Sequence, residues 1–197
     1  MIYTDKILTS NQLKILRWVD GNTFQKRLSY NLKNKKLISI RKWIYTFPWI
    51  IESFSDDEFL CIANKIYSPS YISFETVLQK EWIIFQYDNT IKIACKYHKS
   101  LHIESINLSC DFFKLPNEIF TEMQWIEHKN WYDIASKERA FCDTVFRSPG
   151  FYFDNLSWLD WDKVLEICEI YNLYKKNFLK NILEYKDQIC ENNNTNQ

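Results

Sequence analysis

NTFQKRLSYNLKNKKLISIRKWIYTF, residues 22–47, is the stretch on which the reading of this chain turns. Phe24, Leu28 and Leu32 recur at i, i+4 and i+8, which sets them on one face of a helix of about three turns running through Asn34. Asn22 with Gln25 three positions on makes a relaxed capping box at its start. The opposite face carries Lys26, Arg27, Tyr30, Lys33 and Asn34, all polar or basic. Beyond Lys35-Lys36 the period changes: Leu37-Ile38-Ser39-Ile40, then Arg41-Lys42, then Trp43-Ile44-Tyr45-Thr46-Phe47 predict a β-hairpin with the two basic residues at its tip.

Upstream, Ser10 is placed to cap a short helix over 11–18, with Leu13 and Leu16 on one face, Ile15 and Val19 adding apolar contact, and Asp20-Gly21-Asn22 as the turn. Helix, turn, basic helix and basic hairpin in that order predict a winged helix-turn-helix over residues 1–50, closed by Pro48. In such a unit the second helix enters a major groove and the wing touches backbone.

Charge points the same way. Residues 21–51 hold seven basic side chains and no Asp or Glu. Residues 1–51 count 10 Lys and Arg against 2 acids, and residues 52–197 count 15 against 23, so a chain of zero formal charge is split into +8 and −8. A cationic module of this kind attracts polyanions, nucleic acid first among them. Lys26, Arg27, Tyr30, Lys33, Lys35, Arg41 and Lys42 are the candidate DNA-binding residues: the cations for phosphates or guanines, Tyr30 for a phosphate or a thymine methyl.

Residues 51–190 read as a second, larger domain mixing a small antiparallel sheet with helices. The acidic segment 52–60 links the modules through a helix. Pro69 precedes a helix over about 70–80 with Tyr71, Phe74, Val77 and Leu78 inward. Strands are expected at Trp82–Tyr87, Ile91–Tyr97, Leu101–Leu108 and around Met123–Glu127. Ser136 caps a helix to about Phe146 that buries Ala140, Phe141 and Val145, and two further helices follow at 160–171 and 173–189. The polar tail 191–197 is expected to be disordered.

Several chemistries lack raw material. With only Gly21 and Gly150 in the chain, a glycine-rich phosphate loop cannot be built. Asp160-Trp-Asp162 is the only Asp-x-Asp and lacks the preceding Gly-Ser of a nucleotidyltransferase, so it reads as a helix N-terminus. His98 and His102 fall in predicted strands, where four residues span about 13 Å, too far for one metal. His128, with Glu127 and Asp133 nearby, has no nucleophile placed by any motif. Catalysis, a metal and a cofactor are therefore not expected. Six cysteines without a C-x-x-C pair fit reduced thiols in a cytoplasmic protein, and no run of 18 apolar residues suggests a membrane span.

Two strings carry a more specific signal: KIYSPSYISFETVL at 65–78 and IASKERAFCDTVF at 134–146. They resemble the AbiEi antitoxin family, in which a winged N-terminal domain precedes a "PSYISLETAL"-like segment, a β-rich stretch and an "ASPEKALLDLLY"-like helix. The resemblance spans roughly residues 8–185. Here Lys36 and Trp43 stand where the family has glycines before the wing and at its end, Lys137 stands for a proline, and Arg139 for a lysine. The resemblance implies an antitoxin of a type IV toxin-antitoxin, abortive-infection system. Such a protein represses its own promoter as a double-stranded-DNA-binding regulator and counters a nucleotidyltransferase toxin encoded alongside. The competing expectation is a non-catalytic interaction or scaffold protein with a vestigial DNA-binding module.

Overall fold

The computed structural model describes residues 6–15, 22–129 and 131–194. The architecture is mixed α+β, and the chain divides into two compact units: Met1–Ile62 with Leu101–Ser109, and Ala63–Ser100 with Cys110–Gln197. The sequence placed the division near residue 50. Leu16, Val19, the Asp20-Gly21 turn and the capping side chain of Asn22 lie outside the described residues.

In the first unit, strand β1 (Leu8–Thr9) leads into α1 (Ser10–Ile15), then α2 (Asn22–Lys33), β2 (Ile38–Arg41) and β3 (Ile44–Thr46). The three strands form an antiparallel sheet in the order β1-β3-β2. Strand β1 was not foreseen, since two residues carry no period. Thr9, not Ser10, caps α1: Gln12 Oε1 accepts from the Thr9 amide at 2.8 Å, and the Gln12 amide donates back to Thr9 Oγ1 at 3.3 Å, a reciprocal capping box. Leu8, Leu13, Phe24, Leu28, Leu37 and Tyr45 form the core, with Leu32 and Phe47 packed against it. Ile15, expected inward, is 81% exposed.

A 3₁₀ turn over Pro48–Ser53 precedes α3 (Asp56–Ile66). Ser55 and Glu58 make a second capping box, the Glu58 carboxylate accepting from the Ser55 amide at 2.8 Å while pairing with Lys6 at 3.0 Å.

The second unit corrects several expectations. The second sheet of the chain is neither small nor purely antiparallel: six strands run in the order β6-β7-β5-β4-β9-β8, with β4 parallel to β9 and β5 parallel to β7. The strands are β4 (Ser70–Ile72), β5 (Ile91–Cys95), β6 (Lys99–Ile103), β7 (Leu108–Lys114), β8 (Ile126–Lys129) and β9 (Tyr132–Ala135). Residues 70–72, expected to open a helix, form β4, and the helix is only α4 (Glu75–Lys80). All three β4 residues, Ser70, Tyr71 and Ile72, are buried, as in a central strand covered on both faces, where period-2 alternation is lost.

Trp82–Tyr87 is not a strand. Ile83 and Ile84 are buried anchors, and the Ile83 carbonyl accepts from the amides of Asp154 and Asn155, so the segment is pinned to a loop and pairs with no sheet edge. The expected strand 101–108 is interrupted by a 3₁₀ turn over Glu104–Ile106 and by Asn107 in the left-handed region (φ 49°), after which β7 begins.

Helix α5 (Asn117–Thr121) was not foreseen. Helix α6 (Lys137–Arg147) is capped by Ser136 as expected and buries Ala140, Phe141 and Val145. Asp160 caps α7 (Trp161–Asn172) by accepting from the Asp162 and Lys163 amides, which is the role assigned to Asp160-Trp-Asp162. Helix α8 starts at Phe178, five residues later than expected, and its backbone runs on to Asn194 over part of the stretch read as a tail. Among the described residues no helix is long and apolar enough to cross a membrane.

Candidate nucleic-acid interface

Helix α2 is where the sequence drew it, and its two faces separate cleanly. At about 100° per residue, Phe24, Leu28 and Leu32 centre on one side while Lys33, Lys26, Tyr30, Asn34 and Arg27 cover an arc of roughly 120° centred about 160° away. Phe24 and Leu28 are buried, whereas Lys26, Arg27, Tyr30 and Lys33 are exposed. The helix folds this way because the apolar stripe has a core to enter and the basic residues have none. Among the described residues, no ion pair engages Lys26, Arg27, Lys33 or Lys42.

The end of α2 is a Schellman motif. The Lys36 amide donates to Asn31 O at 2.9 Å and the Lys35 amide to Leu32 O at 3.1 Å, with Lys35 left-handed at φ 52°. The left-handed residue is thus Lys35 and not Lys36, the position marked by the resemblance. The motif turns the chain sharply into β2 and leaves Lys35 and Lys36 exposed, with the Lys36 ammonium 5.8 Å from the centre of the Tyr30 ring. A cation over that ring is attracted by its π face and adds charge beside the α2 surface.

The β2–β3 hairpin departs from expectation in one respect. Arg41 pairs with Ile44 inside the ladder and is half-buried, so the tip consists of Lys42 and Trp43, not Arg41 and Lys42. Trp43 adopts φ 74°, a conformation suited to glycine, at the site where the resemblance expects one. Its ring is 55% exposed, the Lys42 ammonium lies 5.2 Å from the ring centre, and the Ser10 amide donates to the Trp43 carbonyl at 3.2 Å. Along the free edge of β2, Ser105 Oγ donates to Ser39 O at 3.4 Å, which partly covers an edge otherwise open to pairing. Sequence reasoning missed Trp43 as a surface feature because an aromatic in a strand pattern reads as packing.

The second unit holds a different cluster, built on β4, α6 and α7. Arg139 and Asp143, one turn apart on α6, are both fully buried. The Asp143 carboxylate accepts from Ser73 Oγ at 2.6 Å, Tyr171 OH at 2.5 Å and Tyr71 OH at 3.2 Å, and faces Arg139 Nε at 3.6 Å. Arg139 donates to Ile119 O at 2.5 Å, Glu122 O at 3.3 Å and Tyr71 OH at 3.3 Å, and its guanidinium lies over the Tyr71 and Tyr171 rings. Burial works against the charge on Arg139, but Tyr171, Asp143 and Tyr71 hold its pKa above the ordinary value. Burial pushes the Asp143 carboxyl up, against the pull of Arg139 and the three hydroxyls. This cluster pins the two resemblance strings to each other and has no exposed member to meet a ligand.

A chain of ion pairs runs nearby in the same unit: Arg147 bonds Glu75, and Lys92 bridges Glu75 at 3.3 Å and Asp88 at 3.0 Å. His128 pairs with Asp133 at 2.6 Å across the β8–β9 hairpin. A groove of about 280 Å³ lies between Pro149–Phe153 and α8. Among the described residues no group of three or more His, Cys, Asp or Glu could hold a metal ion. Cys61, Cys95, Cys110, Cys142 and Cys168 are buried and form no disulfide. Comparison with known protein families and with curated proteins finds no match for this chain.

Proposed function

We propose that this protein is a DNA-binding autorepressor of the antitoxin kind. Its first unit acts as a winged helix-turn-helix, with α2 in a major groove and the β2–β3 hairpin as wing. Lys26, Arg27, Tyr30, Lys33, Lys35, Arg41 and Lys42 supply the contacts, from the cytoplasmic side where promoters lie. The observation that carries the reading is the pairing of element order β1-α1-α2-β2-β3 and sheet order β1-β3-β2 with an exposed α2 face free of acids. The AbiEi-like strings extend it to a type IV toxin-antitoxin operon, in which the second unit counters a nucleotidyltransferase encoded alongside.

A gel shift on the chain's own upstream duplex tests the first part. With about six phosphate contacts, affinity should fall about 10³-fold between 50 and 200 mM salt. Weak binding that ignores sequence would refute repression. Sequencing the adjacent reading frame tests the second part: a Gly-Ser and paired-Asp nucleotidyltransferase is expected, and an unrelated neighbour removes the antitoxin role.

One observation favours a protein-interaction reading instead. Trp82, Phe85 and Tyr87 are 62%, 62% and 80% exposed on the pinned segment after α4. Three large aromatics in six residues suit a protein partner. Retention of partner binding by a variant lacking all cations of α2, without any DNA binding by the wild type, would establish it.

A further inference from the structure

We infer that Trp43 is itself a duplex contact: its indole packs against the deoxyribose edges of a groove beside the phosphate that Lys42 reaches. The inference rests on the DNA-binding reading and deepens it. The wing has a two-residue tip, closed by the Arg41–Ile44 pair and held by the Ser10 amide, which donates to the Trp43 carbonyl. Glycine is the residue that this backbone favours, because a Cβ crowds the following carbonyl at φ 74°. The chain instead places its largest side chain there and leaves 55% of it exposed.

Among the described residues of the unit, the other exposed tryptophan is accounted for locally: Trp49 stacks on Phe47 with centroids 4.7 Å apart. The Lys42 ammonium lies 5.2 Å from the centre of the Trp43 ring. A strained, exposed aromatic flanked by a cation, in a 31-residue stretch without a carboxylate, fits a surface that is itself polyanionic and apolar by turns. A nucleic-acid groove has that chemistry, with phosphates at its rim and sugar carbons on its walls.

The physical signature separates the two neighbours. Lys42 neutralises a phosphate and releases counterions, whereas an indole on sugar releases none. Fluorescence anisotropy on the chain's own upstream duplex should be run at 50, 100 and 200 mM salt. Trp43→Ala should bind about tenfold more weakly at every salt concentration, with the slope of log K against log salt unchanged. Lys42→Ala should flatten that slope by about 0.9. Trp43→Gly, which relaxes the turn, should show the same loss as Trp43→Ala with a thermal midpoint no lower than wild type's, so misfolding cannot account for the effect.

Wild-type affinity in Trp43→Ala overturns the inference and leaves the DNA-binding reading standing. A flattened slope in Trp43→Ala overturns it too, because Trp43 would then act only by holding Lys42. Absence of duplex binding by the wild type overturns both.

Discussion

Removing the Asp143 carboxylate should destabilise the second unit more than any single surface change. Asp143→Ala takes the acceptor from Ser73, Tyr71 and Tyr171 and leaves Arg139, with no exposed atoms, facing only the Ile119 and Glu122 carbonyls and Tyr71 OH. Stranding a buried charge in this way costs about 3–5 kcal/mol. Arg139→Met strands the other side: two backbone carbonyls lose their donor, but Asp143 keeps three hydroxyls, so the expected cost is lower, about 2–4 kcal/mol.

The double variant Arg139→Met, Asp143→Ala combines the same two substitutions and removes both charges. It should fall short of the sum of the singles by at least about 2 kcal/mol, the mark of two groups that need each other. Urea unfolding followed by far-UV circular dichroism gives all three values. A cost below about 1 kcal/mol for Asp143→Ala, or strict additivity in the double variant, would show that the cluster does not hold the unit together.

Lys35→Gly should stabilise the first unit, since relief of the left-handed strain, about 1–2 kcal/mol, exceeds the added freedom of the unfolded chain, about 0.4–1 kcal/mol. A lower thermal midpoint would mean that the Lys35 side chain contributes more than its backbone costs. Burial nudges the Asp88 carboxyl up, but the Thr90 amide and hydroxyl and Lys92 outweigh it and hold the pKa below 3.8. Its stabilisation is therefore present above pH 3.8 and is lost as pH falls through the folded value, so the advantage of wild type over Asp88→Asn should vanish in acid; an advantage that grows there would contradict the assignment. With five buried cysteines, and Cys110 pushed up to about 12 by burial and Asp111, at most one of six thiols should react with an aromatic disulfide before unfolding; rapid titration of two or more would contradict the packing.

What could be read in advance followed from local rules. Helices α2, α6 and α7 each announce themselves by a capping residue and a 3.6-residue stripe that tertiary packing then uses, and the β2–β3 hairpin by its run of β-branched and aromatic residues. Strand β4 was misread because Tyr71 and Ile72 are buried on both faces, and apolar residues with no polar alternation fit a helix as well as a central strand. Trp82–Tyr87 was misread in the opposite sense: Ile83 and Ile84 bury as anchors while Trp82, Phe85 and Tyr87 face outward, and their strand propensity depends on a neighbour the fold does not supply.

At the candidate site, the exposure of Lys26, Arg27, Tyr30 and Lys33 was legible from the stripe they oppose. Left-handed backbone at Lys35 was not, since lysine does not signal it; at Trp43 only the resemblance, which has a glycine there, pointed to it. The burial of Arg139 and Asp143 was hidden as well. A basic and an acidic residue four apart on a helix look like a solvated pair until the hydroxyls of Tyr71, Ser73 and Tyr171 converge on them from elsewhere in the chain.

The face of α2 is the centre of the account, and its charge gives it a measurable exponent. For wild type on its upstream duplex, log K against log salt should have a slope near −5, as about six neutralised phosphates require. Exchanging Lys26, Arg27 and Lys33 together for alanine should flatten it to about −3, because three counterion-releasing contacts are gone. An unchanged slope in that triple variant, with binding retained, would place the DNA-binding surface elsewhere and contradict the account.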